Sequence, residues 1–192
     1  MKVLIACEYS GTVRDAFIAK GHEVMSCDIL PTDVPGPHYQ GDIMDILYDG
    51  WDLMIAHPPC TYLSNAGARF LYPGKLLNPA RLEKGLAAKC FFMELFNAPI
   101  KQICIENPIP SKVFGLPNYG QTIQPYEFGH PFKKKTCLWL KDLPPLMATD
   151  IVASSESTKV AGNWFNKGGK DRQKNRAKTF QGIANAMAEQ WG

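Results

Sequence analysis

At 192 residues, 45% hydrophobic and 20% charged, the chain can bury a sizeable core, and its length fits one domain over residues 1–192. The net charge of +3 is too small to declare a nucleic-acid partner by itself. No apolar run approaches the ~20 residues that span a bilayer, and Glu8 interrupts the apolar start Val3-Leu4-Ile5-Ala6 before it could serve as a secretory signal. A cytoplasmic chain with no membrane association is therefore expected.

The N-terminus reads as strand (2–7), turn (8–11), helix (12–20) and strand (23–27), with Gly21 closing the helix and Asp28 ending the second strand. This βαβ opening predicts an α/β fold with a mostly parallel sheet and a ligand site at the carboxyl ends of its strands, near residues 7–12 and 28. The Pro- and Gly-rich stretch 31–39 reads as loop. Trp51-Asp52-Leu53-Met54-Ile55-Ala56 reads as a buried strand that runs into His57-Pro58-Pro59-Cys60. Asn78-Pro79 marks a helix start, with Leu82, Leu86, Cys90 and Met93 expected on its buried face. A strand over 100–105 leads into Glu106-Asn107-Pro108, and another is expected over 136–140. The last helix is expected over 180–191, with Ile183, Met187 and Trp191 on one stripe.

Six cysteines, at 7, 27, 60, 90, 104 and 137, contain no Cys-x-x-Cys pair. That spacing argues against both a zinc site and a disulfide framework, so no metal is expected and most of the thiols read as packing residues. Basic residues are unevenly placed: Lys133-Lys134-Lys135 form one cluster, and seven Lys or Arg lie between Lys159 and Lys178 against the single acid Asp171. Either cluster suits a solvated face or phosphate contact.

Two reactive side chains, Cys60 and Glu106, follow apolar strands, where an open parallel sheet presents its ligands. The loop Pro58-Pro59-Cys60-Thr61-Tyr62-Leu63-Ser64 resembles the nucleophile loop of the cytosine carbon-5 DNA methyltransferases. Glu106-Asn107 resembles the dipeptide that supplies their carboxyl group. Cys7-Glu8-Tyr9-Ser10-Gly11 resembles their cofactor-binding turn, with Tyr9 where the family has glycine. Asp28 resembles their ribose-binding acid, Gly41-Asp42-Ile43 their adenine-contacting segment, and Ile183-Ala184-Asn185-Ala186-Met187 their final motif, an Asn-centred helix start. These pieces occur in the family's order, so the resemblance spans nearly the whole chain.

The resemblance implies a single Rossmann-like S-adenosylmethionine-dependent methyltransferase domain that transfers a methyl group to carbon 5 of cytosine in double- or single-stranded DNA. Carbon 5 is a poor nucleophile, so a thiolate must add to carbon 6 while a carboxyl group assists at ring nitrogen 3, and Cys60 and Glu106 take those roles. Lys134 stands where the family has an arginine and offers a point charge without a bidentate fork. Phe132 and Thr136 also depart from that motif. Cofactor contacts are expected from Cys7, Glu8, Tyr9, Ser10, Gly11, Asp28, Asp42, Pro58 and Asn185, and substrate contacts from Ser64, Asn107, Lys133, Lys135 and Trp164.

In place of the family's target recognition domain the chain has a basic loop region over 141–176. Trp164 and Phe165 among its lysines suit base stacking and phosphate contact, and the same stretch also fits an ordinary loop. Limited reading of base sequence is expected, with room for a protein partner that supplies it. A cytidine nucleotide or RNA substrate, a catalytically silent DNA-binding protein, and a Cys-His hydrolase built on Cys60 and His57 are the competing readings.

Overall fold

The computed structural model describes residues 1–153 and 177–192, so Trp164, Phe165 and most of the 141–176 stretch lie outside the described residues. Its strands are β1 (Lys2–Ala6), β2 (Glu23–Asp28), β3 (His38–Gln40), β4 (Leu53–Ala56), β5 (Gln102–Pro108), β6 (Gln121–Ile123) and β7 (Thr136–Lys141). Its helices are α1 (Thr12–Ile18), α2 (Asn65–Ala68), α3 (Pro79–Phe96) and α4 (Gln181–Trp191). The strands form one sheet in the order β3-β2-β1-β4-β5-β7-β6. β1 to β5 run parallel, and β7 runs antiparallel between β5 and β6. The chain is thus an α/β protein of Rossmann-like, doubly wound form with a mostly parallel sheet.

Both faces of the sheet are covered, which is why its strands read as continuous apolar runs. On one face Val3, Ile5, Leu53, Ile55 and Cys104 pack against Val13 and Phe17 of α1 and Ile183, Met187 and Trp191 of α4. On the other, Leu4, Ala6, Met54, Ala56, Ile103 and Ile105 pack against Phe92 and Leu95 of α3, together with Phe114 and Trp139.

Three expectations need correcting. His38 and Tyr39, placed in a loop, open β3, whose backbone pairs with Ser26 and Cys27 of β2. The face of α3 expected over Leu82, Leu86, Cys90 and Met93 packs only in part: Leu82 and Met93 are half-buried against the core, but Leu86 is 50% exposed and Cys90 is exposed, whereas Gly85, Phe92 and Leu95 are buried. The cause is Phe114, whose ring lies where a Cβ on Gly85 would sit, at 2.1 Å from Cζ, and so sets the rotation of the helix. Asn185, expected at a helix start, lies a full turn inside α4, because the helix begins at Gln181.

The strand order places a reversal between β1 and β4: the chain builds outward from β1 through β2 to β3, then crosses back to lay β4 on β1's other side. In open parallel sheets this point opens a crevice beyond the carboxyl ends of the strands. Cys7 follows β1 there and His57 follows β4, with the His57 amide donating to the Ala6 carbonyl at 2.9 Å.

Candidate active site

Strand register gathers the chemistry at this edge. Ala6 is aligned with both Cys27 and Ala56, and Ala56 with Ile105. One step further along the strands, Asp28, Cys7, His57 and Glu106 form a row across β2, β1, β4 and β5. Neighbours in this row lie 21 to 50 positions apart in the chain and meet only because the sheet is parallel and in this register.

Within the row, His57 Nδ1 and Glu106 Oε2 are 2.9 Å apart, with side chains only 8% and 12% exposed. Burial works against both charges, and the pair overcomes it. The hydrogen bond and charge of Glu106, aided by Glu8, hold the imidazole above its ordinary value. The His57 hydrogen bond, the Lys134 charge and the His57 charge hold the Glu106 carboxyl below its own. In this pair Nδ1–H donates and the Glu106 carboxylate accepts. His57 Nε2 is buried without a hydrogen-bond partner among the described residues.

The turn after β1 is built around Glu8. Its carboxylate accepts from the amides of Val13 (2.8 Å) and Arg14 (3.2 Å) and from the Ser10 hydroxyl (3.0 Å), which satisfies donors that the start of α1 would otherwise leave open. Gly11, at φ 75°, makes the left-handed entry into the helix, and a Cβ there would meet the Arg14 guanidinium at 2.6 Å. Cys7 also has positive φ, 58°, and its thiol is held protonated by burial and by the nearby carboxylates, Asp28 foremost. Tyr9 is buried, and its hydroxyl is pushed up to about 12 by burial together with Asp33 and Asp28.

Arg14, a residue sequence reasoning passed over, is fully buried. It pairs with Asp15 and donates to Thr32 Oγ1 and to the carbonyls of Val34 and Pro35, fastening the loop after β2 over α1. The available signal was a lone arginine on the apolar stripe of Val13, Ala16 and Phe17. Asp33 of the same loop donates its amide to the Tyr9 carbonyl and pairs with Lys178 at 2.7 Å. Beside it lies an open cleft lined by Cys7, Glu8, Tyr9, Ser10, His57, Ala177, Lys178 and Thr179.

Beyond His57 the chain enters the loop carrying Pro58, which is buried, and Cys60, which is half-buried. The loop is anchored on the segment after β5: Asn65 donates its amide to Ile109, and Ser111 donates its amide to Leu63. Ser64, expected on the substrate, is buried and caps α2, its hydroxyl accepting from the Gly67 amide at 3.3 Å. Lys134 lies on the Glu106 side of the site, where its ammonium stands 5.7 Å from the centroid of the Phe180 ring.

The remaining residues are more dispersed. Asp28 ends β2 and accepts from the Leu30 amide at 2.9 Å, and burial raises its carboxyl. Asp42 is exposed and accepts from the Met44 amide. Lys133 and Lys135 are exposed. Asn185 is exposed, accepts from the Gln181 amide side chain at 2.8 Å, and is not among the residues lining the cleft. Asn107 falls on the sheet face of Ile103 and Ile105, opposite Glu106, and neither end of its buried amide has a partner among the described residues. The dipeptide therefore sends its two side chains to opposite faces. Among the described residues no group of acids, histidines and cysteines could hold a metal ion, and no helix is long and apolar enough to cross a membrane.

No family model and no curated protein matches this sequence. Among solved structures the chain is similar to a prophage-encoded E. coli protein described as a DNA modification methyltransferase, at 14% identity and a TM-score of 0.49, covering 80% of this chain and 52% of that one. It is also similar to Spodoptera frugiperda DNMT2, at 16% identity and a TM-score of 0.41, covering 81% and 55%. A third structure, the Entamoeba histolytica methyltransferase EhMeth, matches at 13% identity and a TM-score of 0.48, covering 82% and 57%. The chain spans about half the length of each. At these identities none of the likenesses assigns an activity or a substrate to it.

Proposed function

We propose that the chain is an S-adenosylmethionine-dependent methyltransferase acting on carbon 5 of cytosine in DNA, with Cys60 as nucleophile. The observation that carries this reading is the buried, charged Glu106 on β5, directly beside β4, the strand that feeds the Cys60 loop. A thiol in the loop after β4 and a carboxylate on the neighbouring strand β5 are the two groups that addition to a cytosine ring requires.

The cofactor assignment agrees with the turn after β1. Dinucleotide cofactors place their pyrophosphate on the open amides of the first helix. Here Glu8 occupies the Val13 and Arg14 amides and brings negative charge to that position, which suits a cofactor without phosphate. Cys7, Tyr9, Ser10, Asp28, Asp42 and Pro58 are the residues that would hold it. When bound, S-adenosylmethionine supplies an electrophilic methyl group.

In this reading the Cys60 thiol gives up its proton as its sulfur bonds to carbon 6 of cytosine, and the Glu106 carboxylate takes that proton up and passes it to nitrogen 3, so that no charge is left on the ring. Carbon 5 takes the methyl group, loses its proton to a base, and the carbon–sulfur bond breaks to release the thiol. Lys134 places positive charge beside Glu106 throughout. Incubation with labelled S-adenosylmethionine and cytosine-containing DNA should give labelled DNA with the wild type and none with Cys60→Ser. Undiminished transfer by that variant would sink the assignment.

A cytidine nucleotide or RNA substrate is the second reading. It is favoured by the brevity of the chain between β7 and α4, residues 142–180, where a DNA-reading domain would have to fit. Competition among DNA, RNA and free nucleotide in the same assay separates the two.

A further inference from the structure

The Cys60 loop is held from outside at both ends. On its entry side the His57 amide donates to the Ala6 carbonyl, and Pro58 and Pro59 restrict the backbone that follows. On its exit side the Ser64 amide donates to the Cys60 carbonyl at 2.9 Å, closing a single turn from Cys60 to Ser64. One turn with one such bond does not keep its own shape, so the direction of the thiol depends on what grips residues 61–63. The Ser111 amide holds the Leu63 carbonyl from one side.

Arg81, in the first turn of α3, supplies the other grip. Asn78 caps that helix, its side chain accepting from the Arg81 amide at 3.1 Å, which fixes where the arginine starts. Nη2 of the guanidinium donates to the Thr61 carbonyl at 3.0 Å and to the Gly67 carbonyl at 3.1 Å. Its Cζ lies 5.0 Å from the centroid of the Tyr62 ring and 5.2 Å from that of Phe70. Gly67 of α2 approaches so closely that a Cβ there would stand 2.3 Å from the Thr61 oxygen. The residue bonded to Cys60 thus has its carbonyl held by a cation that a helix cap and two aromatic rings set in place. Between Asp52 and Glu83 the sequence holds no acid, so no carboxylate of that stretch competes for the guanidinium.

We propose that Arg81 is a positioning residue for the Cys60 thiol: it acts through the Thr61 carbonyl, locks the Cys60–Ser64 turn against α2 and α3, and touches neither substrate nor cofactor. The inference rests on the reading of Cys60 as nucleophile. A sulfur displaced by about 1 Å loses on the order of a hundredfold in rate, because the reacting atoms leave their near-attack geometry.

Methyl transfer to DNA by the wild type, Arg81→Ala and Arg81→Lys is measured together with hydrogen exchange of the Ser64 amide. Arg81→Ala should lower kcat by about a hundredfold while KM for DNA stays within about twofold. Its Ser64 amide should exchange at least about tenfold faster, because the turn that ends there opens more often. Lysine keeps the charge but lacks the planar group that lies against both rings, so Arg81→Lys should reach only about a tenth of the wild-type kcat.

Wild-type kcat in Arg81→Ala overturns the proposal, even with a lowered melting temperature, and so does a KM for DNA that rises more than kcat falls, the mark of a phosphate contact. Unchanged exchange of the Ser64 amide overturns it whatever the rates. Should Arg81→Ala fail to fold, Arg81→Lys decides on the same readings: wild-type kcat or wild-type exchange in that variant ends the proposal. A wild type that transfers no methyl group to cytosine overturns the proposed function instead, and the exchange measurement still judges the grip of Arg81 on the turn.

Discussion

Glu106 shows how a single residue derives its character from its neighbours. An isolated buried carboxyl would stay protonated, but this one is held anionic by His57 and Lys134. Removing one partner of a buried pair leaves the other charge uncompensated, so Glu106→Gln should lower stability by about 3 kcal/mol in denaturant unfolding at pH 6. The sign of the pH dependence follows from the two shifts. Glu106, held below its ordinary 4.5, contributes stability above that value and loses it as pH falls through the lowered one. His57, held above its ordinary 6.5, contributes below that value and loses it as pH rises through the raised one. The stability gap between wild type and Glu106→Gln should therefore be widest from about pH 4.5 to 6.5 and narrow on both sides. Melting curves across pH 3 to 9 check this, and a gap independent of pH would show that the pair is not ionised.

At the scale of elements, β1, β4 and α4 were legible in the sequence because each is an apolar run or stripe that packs as its period dictates. The same logic misplaced the buried face of α3. Leu82, Leu86 and Cys90 satisfied a helical period, yet Phe114, eighteen positions beyond the helix end, sets its rotation by filling the space over Gly85. Gly85→Ala should accordingly cost about 1–3 kcal/mol by overpacking, although alanine is the better helix former, and Phe114→Leu should recover part of the loss. Thermal unfolding of both variants tests this, and a stabilised Gly85→Ala would refute the packing account. The strands β3 and β6, three residues each, carried too short a pattern to be read. Cys60 and Glu106 could be picked out as strand-end residues, but the pairing of Glu106 with His57 could not. It depends on the register of β4 on β5, which apolar runs alone do not specify.

At the scale of the molecule, the sheet's reversal point decides where everything else collects. The order β2-β1-β4-β5 brings four strands side by side at the reversal point, and residues 177–179 line the cleft there, with Lys178 paired to Asp33 of the loop fastened by Arg14. Lys133 and Lys135 of the Lys133-Lys134-Lys135 run are exposed, and under the proposed function they would contact the DNA backbone. Replacing both exposed lysines with alanine should weaken binding to DNA of any sequence and reduce the slope of log affinity against log salt by up to about 2. Fluorescence anisotropy over a salt series measures this, and a slope equal to the wild type's would remove these lysines from the interface.

The central claim, a covalent Cys60 adduct on cytosine, is tested most directly by intact-protein mass spectrometry after incubation with S-adenosylmethionine and an oligonucleotide carrying 5-fluorocytosine. Fluorine at carbon 5 leaves no proton to remove, so the carbon–sulfur bond cannot be released. The account predicts that wild-type protein gains the mass of the methylated oligonucleotide, with the linkage mapping to Cys60, and that Cys60→Ser gains nothing. Methyl transfer to ordinary cytosine DNA by a protein that forms no such adduct would contradict it.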